Sequence, residues 1–177
     1  MKKRWASIVL TGMVAVSAFA GTVSTASTAS AASISVTAQK GSAVNIANEQ
    51  KVINNIIQTG KNLIGQARYN HTYNAPYTMD CSGFTYYIFK KNGIDLKTRD
   101  DDKQVSYGKY VPKSQIKPGD LIFYNANKPS KDVTHVGVYI GDGKVLHMAN
   151  STSNVTISKL SGSWHTANYL TARRVIE

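Results

Sequence analysis

The most constraining feature of this sequence is a change in the spacing of its apolar residues near Pro118 and Gly119. Before this point, apolar residues recur at helical spacing in two segments, Asn48–Ala67 and Cys81–Gly93. After it come five short segments rich in β-branched and aromatic residues: DLIFY, HVGVYI, KVLHMA, VTISKL and YLTARRVI. Helices followed by strands predict an α+β domain, with N-terminal helices packed on an antiparallel β-sheet.

The first 32 residues have the layout of a secretory signal peptide. A basic start at Lys2–Arg4 precedes an apolar run from Ala6 to Ala20, and small residues follow. The run is too short for a stable membrane span, which favours a cleaved leader over a retained anchor. Cleavage after Ala20, Ala31 or Ala32 would satisfy the small-residue rule, and we expect one of the last two. The sequence therefore predicts an exported protein.

The domain organisation follows from what remains. Residues 33–47 are small and polar without periodicity, so we expect a flexible tail. Residues 48–177 are enough for one domain with its own core and too few for two. We therefore expect a single catalytic or binding domain over 48–177, acting as a monomer.

The charge of the chain limits the classes of partner. The net charge is +11, and it remains strongly positive after Lys2–Arg4 are removed. The basic residues are scattered singly or in pairs rather than forming a stripe with interleaved aromatic residues, which argues against nucleic-acid binding. A diffuse positive surface suits adsorption to an anionic cell wall or membrane surface.

Cys81 is the only cysteine in the chain. Exported domains that depend on disulfides carry an even number, so this thiol is a buried structural group, an intermolecular bridge or a nucleophile. Its position favours the nucleophile. Asp80 can cap a helix that begins at Cys81, and a helix N-terminus lowers the pKa of a thiol.

A nucleophilic thiol needs a base, and the predicted hairpin HVGVYIGDGKVLHMA offers His135 and His147. Whether the two can cooperate depends on the strand register. A two-residue turn at Asp142–Gly143 would place them on opposite faces of the sheet. A three-residue loop, Gly141–Gly143, would pair Gly137 with His147 and make the histidines diagonal neighbours on one face. We predict the three-residue loop.

Other interpretations of these residues remain open. The two histidines could be unrelated strand residues, or Cys81, His135 and His147 could bind zinc, although the short ligand spacings of common zinc sites are missing. His71 and His165 have no comparable surroundings and are expected at the surface. The aspartates of KTRDDDKQ lack the glycine and glutamate of a calcium loop, so we expect a solvated loop there.

Three motifs in order, DCSGF, KPGDLIFY and HVGVYIGDGKVLH, resemble those of NlpC-type cell-wall peptidases, which have a papain-like fold. The resemblance runs from about Ile53 to the C-terminus. It implies that Cys81 is the nucleophile, that His135 is its base and that His147 orients this base. It also implies substrate contacts for three residues near the nucleophile: Tyr69, Asp80 and Ser82.

The resemblance implies a secreted, wall-associated peptidoglycan hydrolase that needs no metal or organic cofactor. It would cleave the bond between D-γ-glutamate and the diamino acid of stem peptides through a Cys-His-His triad and a thioester. A cysteine amidase that cuts between muramic acid and L-alanine, and a catalytically idle wall-binding protein, are the alternatives. The chain departs from the family pattern at YNHTYNAPY, where a Gly-Gly loop is usual, and at Asp100 and Asp101, which replace threonine or serine.

Overall fold

A computed structural model describes residues 29–177, with side-chain surroundings from residue 45 onward. Most of the predicted signal peptide lies outside the described residues. Helix α1 (Ala29–Lys61) runs through residues 33–47, the segment that the sequence predicted as a flexible tail. The segment contains no proline, and Gly41 is its only strong helix breaker. Within the described part of the chain, no helix is long and apolar enough to cross a membrane.

The other elements lie in a compact unit, Gln39–Glu177. Its further helices are short: α2 (Cys81–Lys91), α3 (Asp101–Gln104) and α4 (Ser163–Asn168). Its strands are β1 (Arg68–Tyr69), β2 (Thr78–Met79), β3 (Lys109–Tyr110), β4 (Leu121–Tyr124), β5 (His135–Gly141), β6 (Lys144–Met148), β7 (Val155–Lys159) and β8 (Tyr169–Arg174). Strands β1 and β2 form a parallel pair, and the others form one antiparallel sheet in the order β3-β8-β4-β5-β6-β7. The predicted α+β architecture is confirmed.

One face of the sheet packs against α2 and the C-terminal part of α1. Alternation along β5 places Val136 and Val138 on this face, where both are fully buried together with Leu146 of β6. Gly60 of α1 allows the close approach of these layers. A Cβ at this position would lie 2.7 Å from Leu146 Cδ2 and 3.1 Å from Phe84 Cζ of α2.

The turn between β5 and β6 differs from the prediction. Gly141 pairs with Lys144, so the loop is the two-residue turn Asp142–Gly143. Both loop residues have a positive φ, 50° and 66°, as a type I′ turn requires. The three-residue loop predicted from the sequence is therefore wrong.

A β-bulge nevertheless preserves the predicted faces of the histidines. One extra residue, Ile140, lies in β5 next to the turn, where the pairing register shifts. The shift turns every side chain beyond it to the opposite face and places Gly137 opposite His147. His135 and His147 therefore share a face as predicted, because a bulge rather than a longer loop supplies the extra residue.

The segment KTRDDDKQ is not the solvated loop that the sequence predicted. Asp100 caps α3, and Gln104 at its end is fully buried. The Gln104 amide donates to the carbonyl groups of Ser82 and Thr98, each at 2.9 Å, and accepts from the Thr85 hydroxyl at 2.8 Å. Because this buried amide has its partners, α3 is fixed against the first turn of α2.

Candidate active site

Cys81 is the first residue of α2, as the sequence predicted. Asp80 is the N-cap: its carboxylate accepts a hydrogen bond from the Gly83 N–H at 2.7 Å. The Ser82 hydroxyl lies 3.0 Å from the same carboxylate oxygen and within hydrogen-bonding distance of the Arg99 carbonyl. Asp80 and Ser82 therefore hold the helix start in place, and with it the thiol.

The Cys81 side chain is only 8% exposed. Burial raises the pKa of its thiol to about 12, and the backbone N–H groups of Val136 and Ser82, which donate to the sulfur, act in the opposite direction. The sequence predicted a thiol pKa below its free value. That prediction is wrong, because desolvation of the thiolate outweighs the N–H groups of Val136 and Ser82.

His135 is the first residue of β5 and His147 lies on β6. Their two rings are hydrogen-bonded to each other. His135 Nε2 lies 2.7 Å from His147 Nδ1. Burial and the neighbouring histidines lower the pKa of His135 to about 3, and burial and His165 lower that of His147 to about 4. Both rings are therefore neutral at physiological pH. Each carries a single N–H, either on Nδ1 or on Nε2, depending on the tautomer.

Cys81, His135, His147 and Tyr69 line one cleft of about 440 Å³. The structure thus brings the predicted triad together with the predicted tyrosine. Asp80 lines a neighbouring pocket of about 330 Å³ instead. The substrate roles of Tyr69, Asp80 and Ser82 stay predictions.

Helix α4 covers the histidine face of the sheet, which the sequence did not predict. His165, expected at the surface, is only 8% exposed, and its ring centroid lies 5.3 Å from that of His147. Its Nε2 has no hydrogen-bond partner in the described part of the chain. Trp164 packs its ring edge-on to His135, with centroids 5.6 Å apart. His71 is exposed as predicted.

The geometry of the histidine pair does not suit a shared metal ion. His135 Nε2 and His147 Nδ1 point at each other at 2.7 Å, so these two nitrogens cannot both face a common ion. Among the residues that the structure describes, no group of three or more His, Cys, Asp or Glu side chains could hold a metal.

Gly137 supplies the room that the histidine pair needs. A Cβ there would lie 3.0 Å from His147 Cβ and 2.7 Å from Val145 Cγ1. We expect Gly137→Ala to push His147 away from His135 and to lower the rate of the hydrolysis that the sequence predicts by about 100-fold, since displacements near 1 Å cost that much. Hydrolysis assays and thermal unfolding on the same preparations check this.

The matched control for Gly137→Ala is Gly143→Asn in the same hairpin. Gly143 has φ +66°, which asparagine tolerates, and no atom lies within 4 Å of an added Cβ. We expect this variant to keep its activity. A Gly137→Ala protein with the wild-type rate would show that the position of His147 does not depend on this glycine.

The ionisation of Asp101 in α3 makes the stability of the folded protein depend on pH. Its pKa is raised to about 6, first by burial and then by the charges of Asp102, Asp80 and Asp100. Because the folded-state pKa lies above the ordinary value of 3.8, ionising Asp101 destabilises the folded state. This cost is absent below about pH 4, grows as the pH rises towards 6, and is complete above it.

We therefore expect Asp101→Asn to raise the melting temperature at pH 7.5 but not at pH 3.5. The Asp101 charge also raises the pKa of Cys81, so the same variant should shift the pH midpoint of iodoacetamide alkylation downward. Asp142→Asn, at the exposed hairpin turn, is the control and should change neither quantity. Equal stabilisation by Asp101→Asn at both pH values would contradict the raised pKa.

Comparison with known proteins places these features in a family. Residues 65–174 match the model of the NlpC/P60 family. The chain is 33% identical over 136 residues to a γ-D-glutamyl-L-lysine dipeptidyl-peptidase of Bacillus subtilis (strain 168). The matched region covers 77% of this chain and 45% of that protein. The chain therefore spans less than half the length of this relative.

Two solved structures have a similar fold. An NlpC/P60 family protein from Bacillus cereus is 34% identical, with a TM-score of 0.66 over 71% of this chain and 40% of that chain. The NlpC/p60 domain of the peptidoglycan hydrolase SagA is 25% identical, with a TM-score of 0.59 over 69% of this chain and 97% of that chain.

Proposed function

The chain belongs to the NlpC/P60 family, and we propose that it is a cysteine endopeptidase that hydrolyses peptidoglycan stem peptides. The observation that carries the proposal is the shared cleft, which is lined by Cys81 and by the hydrogen-bonded pair His135–His147. We propose the bond between D-γ-glutamate and the diamino acid as the one cleaved. The similarity to a γ-D-glutamyl-L-lysine dipeptidyl-peptidase supports this choice.

In the proposed mechanism, Cys81 attacks the γ-carbonyl carbon while His135 takes the thiol proton. His135 Nε2 is hydrogen-bonded to His147, so the Nδ1 atom of His135 is the nitrogen left to receive this proton. Because burial keeps the thiol and the imidazole neutral, the proton moves as the sulfur–carbon bond forms. The Cys81 N–H at the start of α2 is the donor we assign to the developing oxyanion.

The intermediate then collapses and the carbon–nitrogen bond breaks. His135 gives its proton to the leaving amine of the diamino acid, and a thioester of Cys81 remains. Water attacks this thioester with His135 as the base. The products are the free γ-carboxylate and the restored thiol, so the enzyme returns to its starting state.

The neighbouring pocket suits the amino end of a stem peptide. Asp80 lines it, and a carboxylate is the group that pairs with an ammonium ion. We assign Tyr69, which lines the cleft of Cys81, to contacting the substrate, and Ser82 to holding the Asp80 carboxylate in place. Export through residues 1–32 and adsorption of the basic chain to an anionic wall complete the proposal.

Digestion of purified peptidoglycan and of defined muropeptides, with the products identified by mass spectrometry, tests the proposal. We expect fragments cut between D-γ-glutamate and the diamino acid. Fragments cut between muramic acid and L-alanine would instead identify an amidase. Binding to peptidoglycan without any released fragment would identify a wall-binding protein and overturn the proposal.

A further inference from the structure

Ser158, on the neighbouring strand β7, is a hydrogen-bond partner of His147. On β7, Ser158 pairs with Val145, while its neighbour Thr156 pairs with His147, so Ser158 is a diagonal neighbour of His147 on the same face. Ser158 Oγ lies 2.9 Å from His147 Nε2. Since His147 Nδ1 is bonded to His135, both nitrogens of this ring are engaged.

The direction of these hydrogen bonds decides whether His135 can act as a base. When His135 takes a proton on Nδ1, both of its nitrogens carry hydrogen, and its Nε2–H must donate to His147 Nδ1. That nitrogen must then offer a lone pair, which leaves the single proton of neutral His147 on Nε2. The only partner that the structure gives this Nε2–H is Ser158 Oγ, which must accept.

We propose that Ser158 is a positioning residue: it accepts the Nε2–H of His147 and so holds that ring in the tautomer that His135 needs to act as a base. The catalytic part of this role rests on the proposed function, whereas the tautomer itself does not. His165 does not replace Ser158, because its own Nε2 has no partner among the described residues.

Removing the hydroxyl reverses the preference of His147. In Ser158→Ala, the Nε2–H tautomer would leave a polar hydrogen unsatisfied in a largely buried site, which is unfavourable. The proton then moves to Nδ1, where it donates to His135 Nε2. His135 in turn carries its proton on Nδ1, and that nitrogen can no longer accept the proton of Cys81.

Nitrogen-15 NMR of the folded, full-length protein reads the tautomer of His147 without any substrate. We expect Nε2–H in the wild type and in Ser158→Thr, which keeps the hydroxyl, and Nδ1–H in Ser158→Ala. The control is Thr156→Val, which removes the hydroxyl opposite His147 and should leave the tautomer unchanged. A wild-type protein with Nδ1–H, or an unchanged tautomer in Ser158→Ala, would overturn the proposal.

Kinetics on muropeptides separates positioning from substrate binding. We expect Ser158→Ala to lower kcat by about 10- to 100-fold at unchanged KM, and Ser158→Thr to restore it. A raised KM at unchanged kcat would show that Ser158 binds substrate, against the proposal. If even the wild type cleaves no muropeptide, the proposed function fails while the NMR result still decides the role of Ser158.

Discussion

Cys81→Ala is expected to abolish muropeptide hydrolysis while the protein stays folded. The chain has no other thiol, so the variant has no route to a thioester. Removing a catalytic nucleophile costs about 10⁴-fold or more in rate, because the base and the oxyanion donors have nothing left to activate. Mass spectrometry of the products measures the loss, and circular dichroism with thermal unfolding measures the fold.

Two further preparations sharpen this result. Cys81→Ser keeps the size of the side chain but replaces the thiol with a far weaker acid, and we expect it to be as inactive as the alanine variant. Wild-type protein alkylated with iodoacetamide should lose activity in proportion to the alkylated fraction. An alanine variant that cleaves at the wild-type rate would show that Cys81 is not the nucleophile.

His135→Ala should be nearly as damaging, with a loss of about 10³- to 10⁴-fold, because it removes the group that we assign to take the thiol proton. His147→Asn should lose less, about 10- to 100-fold. An asparagine amide oxygen can still accept the Nε2–H of His135 and partly preserve its orientation. Rates measured side by side on one muropeptide decide the order.

The opposite ranking, with His147→Asn the more damaging change, would exchange the proposed roles of the two histidines. The unfolding temperatures of both variants must be compared first, because each ring is almost fully buried. A difference in rate at similar stability then reports the chemistry rather than the packing.

Features that depend on neighbours in sequence could be predicted, and those that depend on packing could not. The start of α2 at Cys81 follows from Asp80 directly before it, and the structure confirms this cap. Helix α4 is only six residues long, too short for a periodic signal. His165 lies on this helix, and its burial arises only when β7 and β8 bring the segment over the sheet.

The pKa of the Cys81 thiol is a second property that could not be predicted from neighbours in sequence. The cap at Asp80 is visible in the sequence. The burial of Cys81, which raises its pKa, depends instead on residues distant in the chain, such as Val136 of β5 in the same buried cluster. Likewise, the face that His147 shares with His135 depends on the bulge at Ile140. Alternation alone, applied to the observed turn, would have placed the rings on opposite sides.

Because of the bulge at Ile140, the shared face of His135 and His147 depends on whether the number of residues between them is odd or even. Side chains alternate along a strand, so one residue more or fewer between His135 and His147 moves one of the rings into the apolar core. A change of two residues keeps both rings on the same side. During evolution, this hairpin can therefore change length freely only in steps of two, unless a second irregularity restores the count.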